Sequence, residues 1–174
     1  METKTVVLTF GKILKKVTSW FVIVATVFLA IAMTIGVIDV IGTKVFNWPL
    51  PIMKEVTEEL FVGMVFLGIA YVELDMGHLR ITIFESRMHP KTRYAVGIFK
   101  YVLAVLLTGF ISWRTSLQLI FTIREGIVKA AIYNIPEWPG GLMVFIGFFF
   151  LFLVFLSLLC RSLLTGPEER TANK

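Results

Sequence analysis

Apolar positions along the chain fall into four blocks separated by polar segments. Uncharged runs cover residues 17–38 and 138–160, 22 and 23 residues long. Each exceeds the roughly 20 apolar residues that carry an α-helix across a bilayer. Residues 101–123 make a run of similar length that contains Arg114. The remaining block is short, with thirteen uncharged residues between Glu59 and Glu73, about 20 Å of helix against a hydrocarbon thickness of roughly 30 Å. To span, that helix must carry carboxylates into the membrane margin, where such groups turn toward protein or water. The pattern predicts an all-α integral membrane protein with four transmembrane helices at about 17–41, 54–74, 92–123 and 136–161. They form a membrane domain, 17–163, followed by a tail, 164–174.

The flanking segments add surface-lying elements. Residues 1–16 combine Val6, Val7, Phe10, Ile13 and Leu14 with Lys12, Lys15 and Lys16, a spacing that predicts a basic amphipathic anchor on the inner surface. A secretory signal is the rival reading, given the basic start and Ala30-Ile31-Ala32, but the apolar run outlasts a signal core. Trp20 is expected at the inner interface and Asp39 near the outer one. Asn47-Trp48-Pro49-Leu50-Pro51 must interrupt the helix, because proline lacks the amide donor and holds the preceding residue extended. The connector 75–91 is too polar for lipid, and Ile81, Ile83, Phe84 and Met88 give it an apolar side, so it is expected along the inner surface. Residues 125–137 are expected to lie along the outer one.

Phase brings the charged residues together. Glu59, Gly63, Phe66, Ala70 and Glu73 recur at alternate steps of four and three, so they share one helix face whose small members allow close packing. Lys100 and Arg114 share a face of the third helix with Gln118 and Thr122. Antiparallel packing of the second and third helices would set Glu73 against Lys100 and Glu59 against Arg114. The alternative is that both bases snorkel to headgroups. The acidic first turn, Glu55, Glu58 and Glu59, suits the positive end of the helix dipole.

Composition supports the membrane reading and limits the chemistry. The chain is 57% hydrophobic with a mean hydropathy of +0.84, above the usage of soluble domains. Its net charge of +5 reports topology rather than nucleic-acid binding. With an even number of spans, eleven Lys and Arg residues fall on the side of the termini and four on the other, so both termini are expected in the cytoplasm. A single cysteine, Cys160, excludes an intramolecular disulfide. The two histidines, His78 and His89, both lie in the inner connector, which suits neither an intramembrane haem nor a zinc site. No phosphate-binding loop or catalytic triad pattern occurs. The chain is therefore expected to be no enzyme and to hold no cofactor or metal. Lys12, Lys15, Lys16, His78, Arg80, Arg87 and Arg93 are expected to hold the inner surface.

Ordered short motifs then point to a family. Pro49-Leu50-Pro51 with Glu55 beyond, Phe66-Leu67-Gly68, Gly77-His78-Leu79-Arg80 and Ile135-Pro136-Glu137-Trp138 resemble the small membrane subunit, DctQ-like, of tripartite ATP-independent periplasmic (TRAP) transporters. The resemblance covers roughly residues 39–163. Ile52, Thr43, Lys44 and Thr82 depart from the family pattern, so contacts of the family's residues there do not transfer. The resemblance implies a scaffold beside a large elevator subunit that binds sodium and substrate, with a soluble periplasmic protein capturing a small organic anion of dicarboxylate, sialic acid or sulfonate type. Broken helices paired between two halves, the mark of an autonomous secondary transporter, do not occur. On this reading Glu55, Glu59, Gly63, Gly68, Glu73, Lys100 and Arg114 are candidates for helix packing or the subunit interface. Trp48, Pro49, Pro51, Lys54, Lys129, Glu137 and Trp138 are candidates for binding-protein contact. The alternative function is an autonomous oligomeric four-helix transporter or channel coupled through Glu59 or Glu73.

Overall fold

In a computed structural model the chain forms α1 (Glu2–Val45), α2 (Pro51–Met76), α3 (Pro90–Arg124) and α4 (Trp138–Leu164). The structure describes residues 2–48, 51–76, 90–128 and 136–164. Among the described residues three segments are long and apolar enough to cross a membrane, Thr9–Val45, Ala95–Arg124 and Trp138–Leu163. The 26 residues of α2 suffice in length, but its clustered acids break the apolar run.

The helices end where the backbone allows a reversal. Asn47 takes a left-handed φ of 53°, and the Trp48 amide donates to the Gly42 carbonyl at 3.0 Å. At the end of α3, Gly126 adopts φ 58°, and the Ile127 amide donates to the Thr122 carbonyl at 3.1 Å. This is the Schellman pattern, in which glycine accepts the left-handed turn without a Cβ penalty. Beyond it, Val128 and Pro136 form an isolated antiparallel bridge that brings the chain back to α4.

One expected boundary is absent. No break separates the basic N-terminal segment from the first span, and α1 runs for 44 residues, about 66 Å. The reason is a continuous buried stripe: Leu14, Thr18, Ala25 and Ala32 are all buried at steps of four and seven, and a helix keeping that repeat presents one seam to its neighbours. Leu14, counted in the sequence among the apolar residues of the anchor, is 3% exposed. The stripe reaches back as far as Leu14, and Phe10 and Ile13 before it are exposed.

The bundle is organised around α4, which packs on α1, α2 and α3, while α2 also packs on α1. Contacts fix the directions. On α2 and α4, a Cβ at Gly147 would fall on the Phe66 backbone, 2.7 Å from its carbonyl carbon, and a Cβ at Gly63 would meet Met143 and, 2.6 Å away, the Phe28 ring of α1. Ala70, Leu151 and Val154 form the buried core further along, with Leu74, Phe148 and Leu158 packed around it. Residue numbers rise together on both helices, so α2 and α4 are parallel neighbours. On α3 they fall as those of α4 rise: Gly109 faces Phe152, and Leu119 faces Gly141. That pair is antiparallel. Phe21 meets Phe150 edge to face at 4.7 Å, holding α1 to α4.

The final helix, whose apolar surface could have met lipid all round, is thus the centre of the fold. Its phenylalanines fill the spaces between three partners, and three of the hydroxyls buried in the bundle bond within their own helices. Thr18 donates to the Leu14 carbonyl, Thr108 to Ala104 and Ser157 to Val154, which removes the cost of an unpaired donor in a medium without water.

Because the α2–α4 approach brings backbone to backbone, Gly147→Ala is expected to destabilise the detergent-purified protein by about 1–3 kcal/mol. Gly68, with nothing within 4 Å of an added Cβ, should tolerate alanine within roughly 0.5 kcal/mol. Thermal unfolding followed by size-exclusion chromatography checks both, and equal melting of the two variants would place the close approach elsewhere.

Candidate functional site

The chemistry-bearing groups converge at one end of the bundle, where α1 and α3 finish and α2 and α4 begin. Glu55 and Glu59 stand one turn apart on α2 and are half-buried, whereas Glu58 on another face is exposed. The Glu59 carboxyl occupies the space that a side chain at position 140 would fill, its Cδ 3.0 Å and Oε1 3.1 Å from where a Cβ would stand. Gly140 is the third residue of α4, so the carboxyl sits in that helix's first turn, where free amides and the macrodipole favour negative charge. The Oε2 atom of Glu55 is also buried and takes no hydrogen bond from the described residues. Among the described residues no group of three His, Cys, Asp or Glu side chains could hold a metal ion. What this arrangement does chemically is to dock a carboxyl into a glycine notch and lock two helices in register.

Of the five residues that phase sets on one face of α2, Glu73 is not among those packed on α4. Glu59, Gly63, Phe66 and Ala70 line a single seam, and that seam faces α4 instead of α3. Among the described residues α2 and α3 share no packed seam, and α4 packs on both of them. Two-rung pairing of Glu59 with Arg114 and Glu73 with Lys100 therefore has no packing to support it. Glu73 is half-buried toward the opposite end, while Lys100 and Arg114 are exposed on α3. The Lys100 ammonium lies 5.6 Å from the centroid of the Tyr101 ring, a cation–π distance. Gly68, expected in close packing, has open space around it.

The remaining candidates separate by location. Trp48, Lys54, Glu137 and Trp138 are all exposed and belong to the same end of the bundle as Glu59. Beside them Thr122, Ile123, Gly126, Ile127, Pro136 and Trp138 line an open cleft of about 480 Å³. Lys12, Lys15 and Lys16 are exposed along α1. His78, Arg80, Arg87, Pro49 and Lys129 lie outside the described residues, as do the side chains of Pro51 and Arg93. Sequence reasoning missed Gly140 and Gly147 as seam residues. The signal was present: they are seven apart, like Glu59 and Phe66 opposite them, and two parallel helices meet at equal spacing.

Comparison with known proteins agrees with this architecture. The model of the family described as "Tripartite ATP-independent periplasmic transporters, DctQ component" matches residues 32–165. The chain is 26% identical over 109 residues to the C4-dicarboxylate TRAP transporter small permease protein DctQ of Pseudomonas aeruginosa, an alignment covering 62% of this chain and 52% of that protein. The chain thus spans about half the length of this curated relative. No solved structure matches it. A membrane-crossing helical bundle and a family match over most of its length lead to one conclusion: the chain belongs to the DctQ component family of TRAP transporters and is a multi-pass membrane protein.

Proposed function

We propose that the chain is the small scaffold subunit of a TRAP-type, sodium-driven, binding-protein-dependent importer of small organic anions in the bacterial inner membrane. The observation that carries this reading is the α2–α4 seam. A carboxyl set into a glycine notch and a backbone-to-backbone approach at Gly147 make an immobile wall, which suits a support for a moving partner. Hydroxyls bonded back to their own helices are consistent with a wall rather than a pathway. Sodium and substrate then bind the large membrane subunit, and this chain holds no cofactor. The C4-dicarboxylate in the relative's name belongs to the substrate class proposed.

In this reading α2 is the fourth span. Its parallel packing on α4 supports an equal depth, with Glu55 and Glu59 turned toward protein at one margin. The positive-inside distribution supports cytoplasmic termini. The end that carries Trp48, Lys54, Glu137 and Trp138 is then periplasmic and available to the binding protein.

The chain should co-purify with a larger TRAP-family membrane protein, and liposomes containing this chain alone should show no organic-anion uptake. Ion-coupled uptake by the isolated chain would instead establish an autonomous transporter. Glu59 separates the same readings by another route. Glu59→Gln keeps the shape that fills the notch and is expected to retain assembly and uptake of the complete transporter within about threefold. A coupling carboxylate would lose uptake altogether on that change.

A further inference from the structure

The exposed surfaces of α1 and α3 differ in what they ask of their surroundings. Large apolar side chains cover both, with Met33 64% exposed on α1 and Phe110 60% exposed on α3. On α1 the exposed hydroxyls are satisfied internally, Thr26 donating to the Val22 carbonyl and Thr34 to Ala30. That face can meet lipid. On α3 the exposed face carries Arg114 and Gln118, one turn apart among Leu107, Phe110, Leu117 and Phe121, and among the described residues neither side chain has a hydrogen-bond or ion-pair partner.

Depth makes these two groups unsuited to lipid. Arg114 stands ten residues before Arg124 and fourteen after Lys100, about 15 and 21 Å along the helix. Both intervals place it inside the hydrocarbon of a spanning α3. Its Cα–Cβ bond tilts toward the helix N-terminus, away from the nearer end of the span, so snorkelling is opposed by the helix's own geometry. Lys100, close to the other end of the span, has no such difficulty. A second copy of this chain is a poor cover. Two-fold association in a membrane sets equal depths together, and a shared α3 face would bring Arg114 toward Arg114.

We infer that the Arg114–Gln118 face of α3 is the surface on which the large membrane subunit docks, presenting an acidic side chain at the depth of Arg114. This rests on the scaffold reading above and gives it a location: α3 is the outermost helix of the bundle, held by α4 alone among the packed pairs, with its opposite side available to a partner. The face of α1 is left to lipid.

Photocrosslinking amino acids at Leu107, Phe110 and Leu117, and for comparison at Val27, Met33 and Val37 of α1, would test this in membranes of cells expressing the complete transporter. Mass spectrometry would identify the adducts. Adducts to the large subunit from the α3 positions, and not from those of α1, are expected. Arg114→Leu should lower recovery of the large subunit by about fivefold or more, with Arg114→Lys recovering part of it. If the large subunit co-purifies while the α3 positions give no adduct or adduct only to a second copy, the docking face is wrong and the scaffold reading stands. Undiminished recovery with Arg114→Leu also overturns the acidic contact. Absence of any large subunit from the purified chain overturns the scaffold reading and this inference with it.

Discussion

The close parallel approach of α2 and α4 is the constraint on which the remaining arrangement depends. Two helices come within backbone contact only where side chains are missing, and Gly147 supplies the gap for Phe66 while Gly140 supplies it for Glu59. Because lipid offers helices no hydrophobic drive to associate, dispersion over such complementary surfaces must hold the bundle together. The seven-residue interval common to both sides sets the register. Once it is set, Gly63 receives Phe28 and Met143, and α1 is drawn into the same layer.

That seam also decides the role of charge. A carboxylate in a membrane helix ordinarily suggests ion binding, yet Glu59 lies in the first turn of α4, where helix amides already provide a favourable field. Its position relates to the locking of two helix ends. With α4 occupied by α2 on one side and α1 beside it, α3 can join only from the other side. The bases of α3 then face outward, and the charges of the two helices act on different surfaces. The bundle is thus closely packed through its middle, with the outer face of α3 exposed along one edge.

Much of the fold was legible in the sequence. The uncharged runs announced the helices, the prolines marked the end of α1, and period placed Glu59, Gly63, Phe66 and Ala70 on one face of α2. The N-terminal segment was less legible. Lysine clustering suggested a separate surface anchor, whereas the segment continues into α1 without a break and leaves its lysines exposed. Gly68, a candidate for helix packing or a subunit interface, has no described residue of another helix within 4 Å of an added Cβ.

Element number, approximate bounds and the composition of each face are local properties, determined by which residues follow one another at helical spacing. Membrane residence follows from them because backbone amides in hydrocarbon must bond within a helix. Partner choice is different. Glu59 and Arg114 are complementary on paper and occupy equivalent phases of successive helices, but a helix face has no memory of chain order. Tertiary structure alone placed α4 between α2 and α3, where the glycines of α4 admit the Phe66 backbone and the Glu59 carboxyl of α2 at close range, and contact energy falls steeply with separation.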